Sequence, residues 1–333
     1  MKTINWGIIG CGDVTEIKSG PAFNKVGQSK LVAVMRRNTE KARDYASRHN
    51  VPKWFDDANK LINDPEVNAI YVATPPLSHE EYTIAALRAG KPVYVEKPMA
   101  VNADAGVRMM NAANENNLKL TVAHYRRAQP MFLKIKELLD KNTIGDIKFV
   151  DLKGLQTPLS PDELQTEKIK WRVDPTVSGG GLFNDLAPHQ LDLMLYFFGE
   201  IKSASGVSYN QAAIYDADDI VSGNLLFKNG VIFNGIWCFT VSAPEAKENC
   251  AITGSEGSIN FSVFGDPSIH ISRNGKKETI QFERLEHVQQ PMIEKCVEYF
   301  LDQAPNPCSA ETGVEVMRII DKFTCNEAKN RES

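Results

Sequence analysis

The chain lacks a long apolar run, an excess of either charge and any regular cysteine pattern. No segment is apolar for the ~20 residues that a membrane helix needs, so a helical span is excluded. The net charge of −4 gives no electrostatic reason to expect nucleic acid or an anionic membrane as partner. The six cysteines, Cys11, Cys238, Cys250, Cys296, Cys308 and Cys325, include no C-x-x-C pair, so their spacing indicates neither a zinc ribbon nor a redox motif. Buried thiols in a reduced, cytoplasmic protein are expected instead. Met1-Lys2-Thr3 leads directly into an apolar strand, so no export signal is expected. Internal repeats and low-complexity segments are also missing. With 333 residues, 42% of them hydrophobic, there is material for two domains with a sizeable core.

The most informative stretch stands at the start. Ile4 to Ile9 is a short apolar run, and Gly10-Cys11-Gly12-Asp13-Val14 follows at once. Strand, tight glycine turn and helix start form the geometry that receives a dinucleotide pyrophosphate. Glycine lets the backbone approach the phosphates, and the free N–H groups of a helix start favour negative charge. Gly10, Gly12, Asp13 and Val14 are therefore candidate cofactor residues. The third glycine of the usual pattern is replaced by Thr15. The alternative is an ordinary glycine turn.

Beyond this turn, short apolar strands alternate with helices. Strands are predicted at 31–35, 69–73, 92–95 and 118–123. Helices are predicted at 39–49, 79–89 and 103–116, with Thr39 as an N-cap and Gly90 as a C-cap. Alternation of this kind implies βαβ units and a doubly wound parallel sheet of the Rossmann type over residues 1–123. Such a sheet binds its ligand at the carboxyl ends of its strands. Three polar clusters fall there: Thr74-Pro75-Pro76 with His79, Glu96-Lys97-Pro98, and His124-Tyr125-Arg126-Arg127. Each alone is ordinary loop chemistry. The second strand ends in Met35-Arg36-Arg37-Asn38, and its first acid is Glu40. A site for NAD usually carries an acid there for the ribose 2′-hydroxyl. Two guanidiniums suit the 2′-phosphate of NADP instead, so NADP is expected over NAD. The alternative is a solvated basic pair.

After residue 123 the pattern changes, and a second domain is expected over 124–333. A helix at 130–141 leads to a strand at 147–155. An irregular stretch, 156–177, contains Trp171-Arg172. Ser178-Gly179-Gly180-Gly181 then precedes an apolar helix ended by Gly199. From 201 to 282 the chain reads as strands separated by Asp218-Asp219, Lys228-Asn229-Gly230, Gly254-Ser255-Glu256-Gly257 and Arg273-Asn274-Gly275. Helices at 291–303 and 310–329 close it. Consecutive strands followed by helices indicate an α+β domain on a predominantly antiparallel open sheet. In one strand, Phe233, Gly235 and Trp237 share a face suited to helices. Asn234, Ile236 and Cys238 share the other, whose mixed character suits a partner subunit or cover by the chain's own loops.

The second chemical constellation is Asp185-Leu186-Ala187-Pro188-His189. Residues four apart share a helix face, and a carboxylate beside an imidazole orients a general base. Pro188 belongs in a first turn, so the helix is expected to begin near Asn184. Asp185 as a simple cap and His189 as a core residue are the alternatives. Asp185, His189 and Asp192 lack a second His or a Cys at ligand spacing, so no metal is expected.

Gly10-x-Gly12, Thr74-Pro75-x-x-x-His79, Glu96-Lys97-Pro98 and Gly179-Gly180-Gly181-x-x-x-Asp185-x-x-x-His189 together resemble the glucose–fructose oxidoreductase/inositol dehydrogenase family, in order and spacing, over essentially the whole chain. With Trp171-Arg172 before the glycines, the chain looks like the branch holding NADP-dependent 1,5-anhydrofructose reductase and dihydrodiol/xylose dehydrogenases. The resemblance implies hydride transfer between a nicotinamide and a carbon of a sugar or polyol. It implies Lys97, Asp185 and His189 as catalytic residues, with the final proton donor open between Lys97 and His189. It also implies cofactor contacts from Thr74, Pro75, His79, Glu96 and Lys97. Tyr125, Arg126, Trp171, Arg172, Asp185 and His189 are the candidate substrate contacts, Arg172 having an interdomain ion pair as its alternative. The second domain would bind substrate and assemble a homodimer or larger homo-oligomer. A non-catalytic sensor of the nucleotide has no need of all three catalytic residues. A scaffold that had lost the cofactor has no need of the glycine turn and Arg36-Arg37.

Overall fold

A computed structural model describes residues 2–324. The chain forms two compact units, and their boundary differs from the one expected. The first unit comprises residues 2–129 together with Leu285–Met317; the second comprises Pro130–Arg284 and 318–324. The split expected after residue 123 assumed that a chain leaving the first domain does not return. The segment from Leu285 does return.

In the first unit the strands β1 (Ile4–Ile9), β2 (Ser29–Met35), β3 (Lys53–Phe55), β4 (Ala69–Val72), β5 (Val93–Val95) and β6 (Leu120–Val122) make one parallel sheet, in the order β3-β2-β1-β4-β5-β6. Apolar residues fill both faces, since helices cover each: β4 and β5 are buried throughout. The order reverses between β1 and β4, which opens a crevice beyond their carboxyl ends. The returning segment completes the core. Phe300 packs on Trp6 with centroids 5.5 Å apart, and Thr121 of β6 bridges to Ser309.

One local expectation is corrected here, and two features of the glycine turn are added. Asn38, not Thr39, caps the helix Thr39–Arg48, its side chain accepting from the Lys41 N–H. The helix after the glycine turn is a single turn, Asp13–Glu16, broken by Ser19-Gly20-Pro21. Thr15 fits the place of the third glycine: it is buried, and its hydroxyl donates to the Gly12 carbonyl at 2.8 Å.

The second unit is built on β7 (Ile147–Leu155), β8 (Ile201–Tyr209), β9 (Ile220–Phe227), β10 (Ile232–Cys238), β11 (Lys247–Gly254), β12 (Gly257–Phe261), β13 (Ser268–Arg273) and β14 (Lys276–Gln281), in the order β14-β13-β12-β11-β7-β10-β9-β8. Only β7 and β10 pair in parallel; the other neighbours are antiparallel. One face carries the helices Pro130–Asp140 and Leu182–Phe198. Trp237 lies on it, against Phe183 at 5.0 Å and Phe323 at 6.1 Å. On the other face Val207 and Tyr209 are 66% and 65% exposed, and Phe149 and Ile232 are also exposed.

The stretch 156–177 is not irregular. It holds three short helices, Pro161–Gln165, Glu167–Val173 and Pro175–Ser178, capped by Ser160, Thr166 and Asp174. Pro at the first helical position agrees with its missing N–H at two of these starts. The helix expected to begin near Asn184 begins at Leu182 and runs through Pro188 to Phe198. An interior proline costs about 3 kcal/mol. The burial of most of this helix offsets that cost.

Candidate active site

Each unit carries one cluster. In the first, Gly10 sits at φ +92°, where only glycine is comfortable, and its N–H donates to Met35. A Cβ on Gly10 would stand 2.8 Å from Thr74. Gly12 differs. Its backbone is extended, and a Cβ there would meet nothing of the protein nearer than the Gly10 carbonyl at 3.9 Å. Glycine at 12 is thus required neither by backbone strain nor by packing, and it leaves open room above the turn. That room fits the close approach of a pyrophosphate. Asp13 is exposed and Val14 half-buried at the start of the short helix. Burial pushes the Cys11 thiol up to about 12, so it stays protonated and unreactive at neutral pH.

Arg36, directly after β2, reaches this turn: its guanidinium donates to the Cys11 carbonyl at 3.3 Å. Arg37 is exposed beside it. Thr39 faces elsewhere, its hydroxyl donating to Asp56 at 3.4 Å. Thr74 and Pro75, after β4, are half-buried, and the Thr74 hydroxyl oxygen has no hydrogen-bond partner among the described residues. Gly10, Gly12, Arg36 and Thr74 therefore converge on the ends of β1, β2 and β4.

His79 and Glu96 were expected at the cofactor, and the structure turns both inward. His79 is buried, with Nδ1 2.9 Å from the Pro98 carbonyl and Nε2 2.7 Å from that of Thr74. It ties the loop after β4 to the loop after β5. Burial holds its pKa below the ordinary histidine value, against the pull of the two carbonyls. Glu96 is 5% exposed. Its carboxylate accepts from Tyr71, from Gln289 and from the backbone N–H of Lys97. Lys97 itself is half-buried. Tyr125 is buried after β6, with Arg126 over its ring at 5.6 Å.

In the second unit Gly179, Gly180 and Gly181 all take positive φ, which is why three glycines stand in a row. A Cβ on Gly180 would strike the Asn184 side chain at 2.6 Å. The turn delivers Asp185 into the first turn of the helix Leu182–Phe198, with His189 one turn on. Arg172 donates from Nε to Asp185 at 3.0 Å and stacks on Trp171 at 4.4 Å. The ion pair suggested as interdomain for Arg172 thus lies within this unit. His189 is 4% exposed and meets Phe264 edge-on at 5.7 Å. Trp171, Arg172 and Asp185 are joined by these contacts, and His189 stands one helical turn beyond Asp185.

Sequence reasoning missed the supports of this cluster. Gln190 accepts from the Trp237 indole at 2.6 Å and donates to Glu248 at 3.0 Å. Glu248 accepts from Ser262 and from the N–H groups of Val263 and Phe264, which fixes the turn that presents Phe264 to His189. An open cavity of about 420 Å³ lies beside Glu248, bordered by Gln156, Thr157, Glu163 and Lys247. No local pattern announces a glutamine or glutamate whose partners lie ~15 to 60 residues away. Among the described residues no His, Cys, Asp and Glu are grouped to hold a metal, and no helix is long and apolar enough to cross a membrane.

Comparison with known proteins bears on both units. Residues 4–124 match the model of an oxidoreductase family with an NAD-binding Rossmann fold, and residues 132–260 match a GFO/IDH/MocA C-terminal domain. Oxidoreductase P35 of Formosa agariphila is 49% identical over 96% of this chain and 98% of its own length. A 1,5-anhydro-D-fructose reductase of Ensifer adhaerens is 28% identical over 76% of this chain and 74% of its own. A solved structure of levoglucosan dehydrogenase with NADH and levoglucosan superposes with a TM-score of 0.85 at 22% identity, over 96% of each chain; that likeness speaks for the fold.

Proposed function

The chain belongs to the GFO/IDH/MocA oxidoreductase family, and on that premise we propose that it transfers a hydride between NADP(H) and a carbonyl or hydroxyl carbon of a sugar, polyol or related small molecule. The observation that carries the reading is the glycine turn with open room at Gly12 and the Arg36 guanidinium laid against it. When bound, the nicotinamide supplies the hydride or accepts it. Gly10, Gly12 and the start of the Asp13–Glu16 helix receive the pyrophosphate, bordered by Thr74 and Pro75. Arg36 and Arg37 pair with the 2′-phosphate.

Lys97, as an ammonium, hydrogen-bonds the reacting oxygen and stabilises developing alkoxide. His189 gives or takes the proton of that oxygen, with Asp185 held by Arg172 as its neighbour and as a hydroxyl acceptor. Tyr125, Arg126 and Trp171 supply substrate contacts. The sugar class is supported by the 1,5-anhydro-D-fructose reductase among the similar proteins. Nucleotide titration by fluorescence, then turnover of aldoses, inositols and dicarbonyl sugars with NADPH and NADH, tests it. Tight nucleotide binding with turnover is expected; binding without turnover of any of these would make the protein a sensor.

Two further parts belong to this reading. The protein works in the reducing cytoplasm, in keeping with Cys11, Cys238, Cys250, Cys296 and Cys308 as buried thiols. It forms a homo-oligomer through the open face of the second sheet, where Val207, Tyr209 and Ile232 are exposed. Light scattering giving 37.0 kDa at micromolar concentration would overturn that assembly.

A further inference from the structure

We propose that Gln289 is a positioning residue for Lys97, acting through the buried carboxylate of Glu96; the inference rests on the role given to Lys97 above. Gln289 stands at the N-cap of the helix Gln290–Phe300, in the segment that returns to the first unit. Glutamine is not a preferred capping residue, and its side chain makes no capping bond. Local helix chemistry therefore does not explain it. The side chain instead runs into the core, where Gln289 is 0% exposed.

There both ends of its amide are engaged. Nε2 donates to Glu96 Oε1 at 2.5 Å, and Oε1 accepts from the Tyr94 hydroxyl at 3.1 Å. The backbone is fixed as well, its N–H donating to the Lys18 carbonyl at 3.1 Å. Glu96 in turn accepts from the Tyr71 hydroxyl at 2.5 Å on Oε1 and from the Lys97 N–H at 3.1 Å on Oε2. Tyr71 and Tyr94 are 0% exposed, and their rings stack at 5.1 Å. A buried carboxylate needs donors on both oxygens, and here three donors determine which way it faces. Oε1 is held by Tyr71 and Gln289, so Oε2 is left pointing at the lysine peptide. Removal of Gln289 frees Oε1 to rotate and leaves the Glu96 charge under-solvated. The peptide that carries Lys97 then loses its fixed acceptor. A displacement of the order of 1 Å in a reacting group is enough to slow chemistry markedly.

The test uses the full chain and three variants: Gln289→Leu, Gln289→Glu, and the exchange Glu96→Gln with Gln289→Glu, which restores an amide–carboxylate pair in reverse. Lysines are labelled by reductive ¹³C-methylation, and the Lys97 resonance is identified by its loss in Lys97→Arg. In Gln289→Leu the Lys97 signal is expected to move and broaden while the other lysine signals stay in place. Its kcat should fall about tenfold, with the Kd for NADPH within about twofold. Gln289→Glu should lose more, and the exchange should recover part of the loss. A Lys97 resonance coincident with the unmodified protein's in Gln289→Leu would overturn the proposal. So would a kcat per folded molecule within twofold alongside a lowered Tm. If the unmodified protein turns over no sugar with either nucleotide, the hydride-transfer reading falls, and the Lys97 resonance still decides whether Gln289 positions that lysine.

Discussion

Arg36 is the residue at which cofactor choice should be decided. It follows β2, it already contacts the glycine turn through Cys11, and no carboxylate stands beside it in the sequence before Glu40. Charge-assisted hydrogen bonds to a 2′-phosphate contribute about 1.5–3 kcal/mol each when partly shielded. NADPH should therefore be preferred over NADH at least about tenfold in kcat/KM, and added salt should narrow the gap. Arg36→Asp should weaken NADPH far more than NADH; equal kcat/KM for both in the unmodified protein would reduce the pair to solvated loop residues. Lys97→Ala and His189→Ala should each lower kcat roughly a hundredfold with NADPH still bound, as expected for lost proton transfer or alkoxide stabilisation. Near-normal turnover in both would remove them from the chemistry. Nothing in the sequence separated Glu96 from Lys97, or His79 from Thr74, as inward and outward residues. His79 meets Pro98 beyond β5, and Glu96 meets Tyr71 of β4 and the distant Gln289, contacts that a local pattern does not reveal.

At the scale of elements, the one-turn helix Asp13–Glu16 is too short to hold itself. It is pinned by its neighbours. The Tyr45 hydroxyl donates to the Thr15 carbonyl at 2.8 Å, and Arg48 grips Glu16 with two hydrogen bonds of 2.7 and 2.8 Å. The Arg48 guanidinium lowers the Glu16 carboxyl to about 2 from 4.5. A carboxyl whose folded pKa is depressed stabilises the fold above its unfolded pKa and loses that effect as pH falls toward the folded value. The pair is one-third to one-half exposed, so its contribution is small, about 0.5–1 kcal/mol. Glu16→Gln should lower Tm slightly at pH 7, and the difference should vanish on titration from about 4.5 to 2. A difference that persists unchanged at pH 2 would show that the pair is not what steadies the turn.

At the scale of the whole molecule, the returning segment decides what can fold alone. Phe300 lies against Trp6, Gln289 against Glu96, and a Cβ on Gly106 would press on Val314 at 3.2 Å. These contacts fill the core of the first unit. Residues 1–129 alone should therefore be unstable, and the same residues joined to 285–317 by a short linker should fold. Cooperative melting of 1–129 without the segment would refute the dependence.

Composition, periodicity and turn chemistry determined the strands β1, β2, β4, β5 and β6, the change to consecutive strands and the glycine turns, while the short β3 went unpredicted and most residues offered for chemistry came from the family resemblance. Those strands and turns rest on interactions within a few positions, which one sequence contains. The place of Ile147–Leu155 agreed to the residue, and in β10 alternation placed Asn234 and Ile236 on the more exposed face, whereas Cys238, expected with them, is buried. Tertiary structure alone decided the return of Leu285–Met317, the helix through Pro188, the pairing of Arg172 with Asp185, and the buried set joining Gln289 to Lys97 through Glu96. Each of these trades a local preference for burial or for hydrogen bonds between distant positions. Such exchanges have no signature along the chain, because their favourable half exists only once the chain has folded.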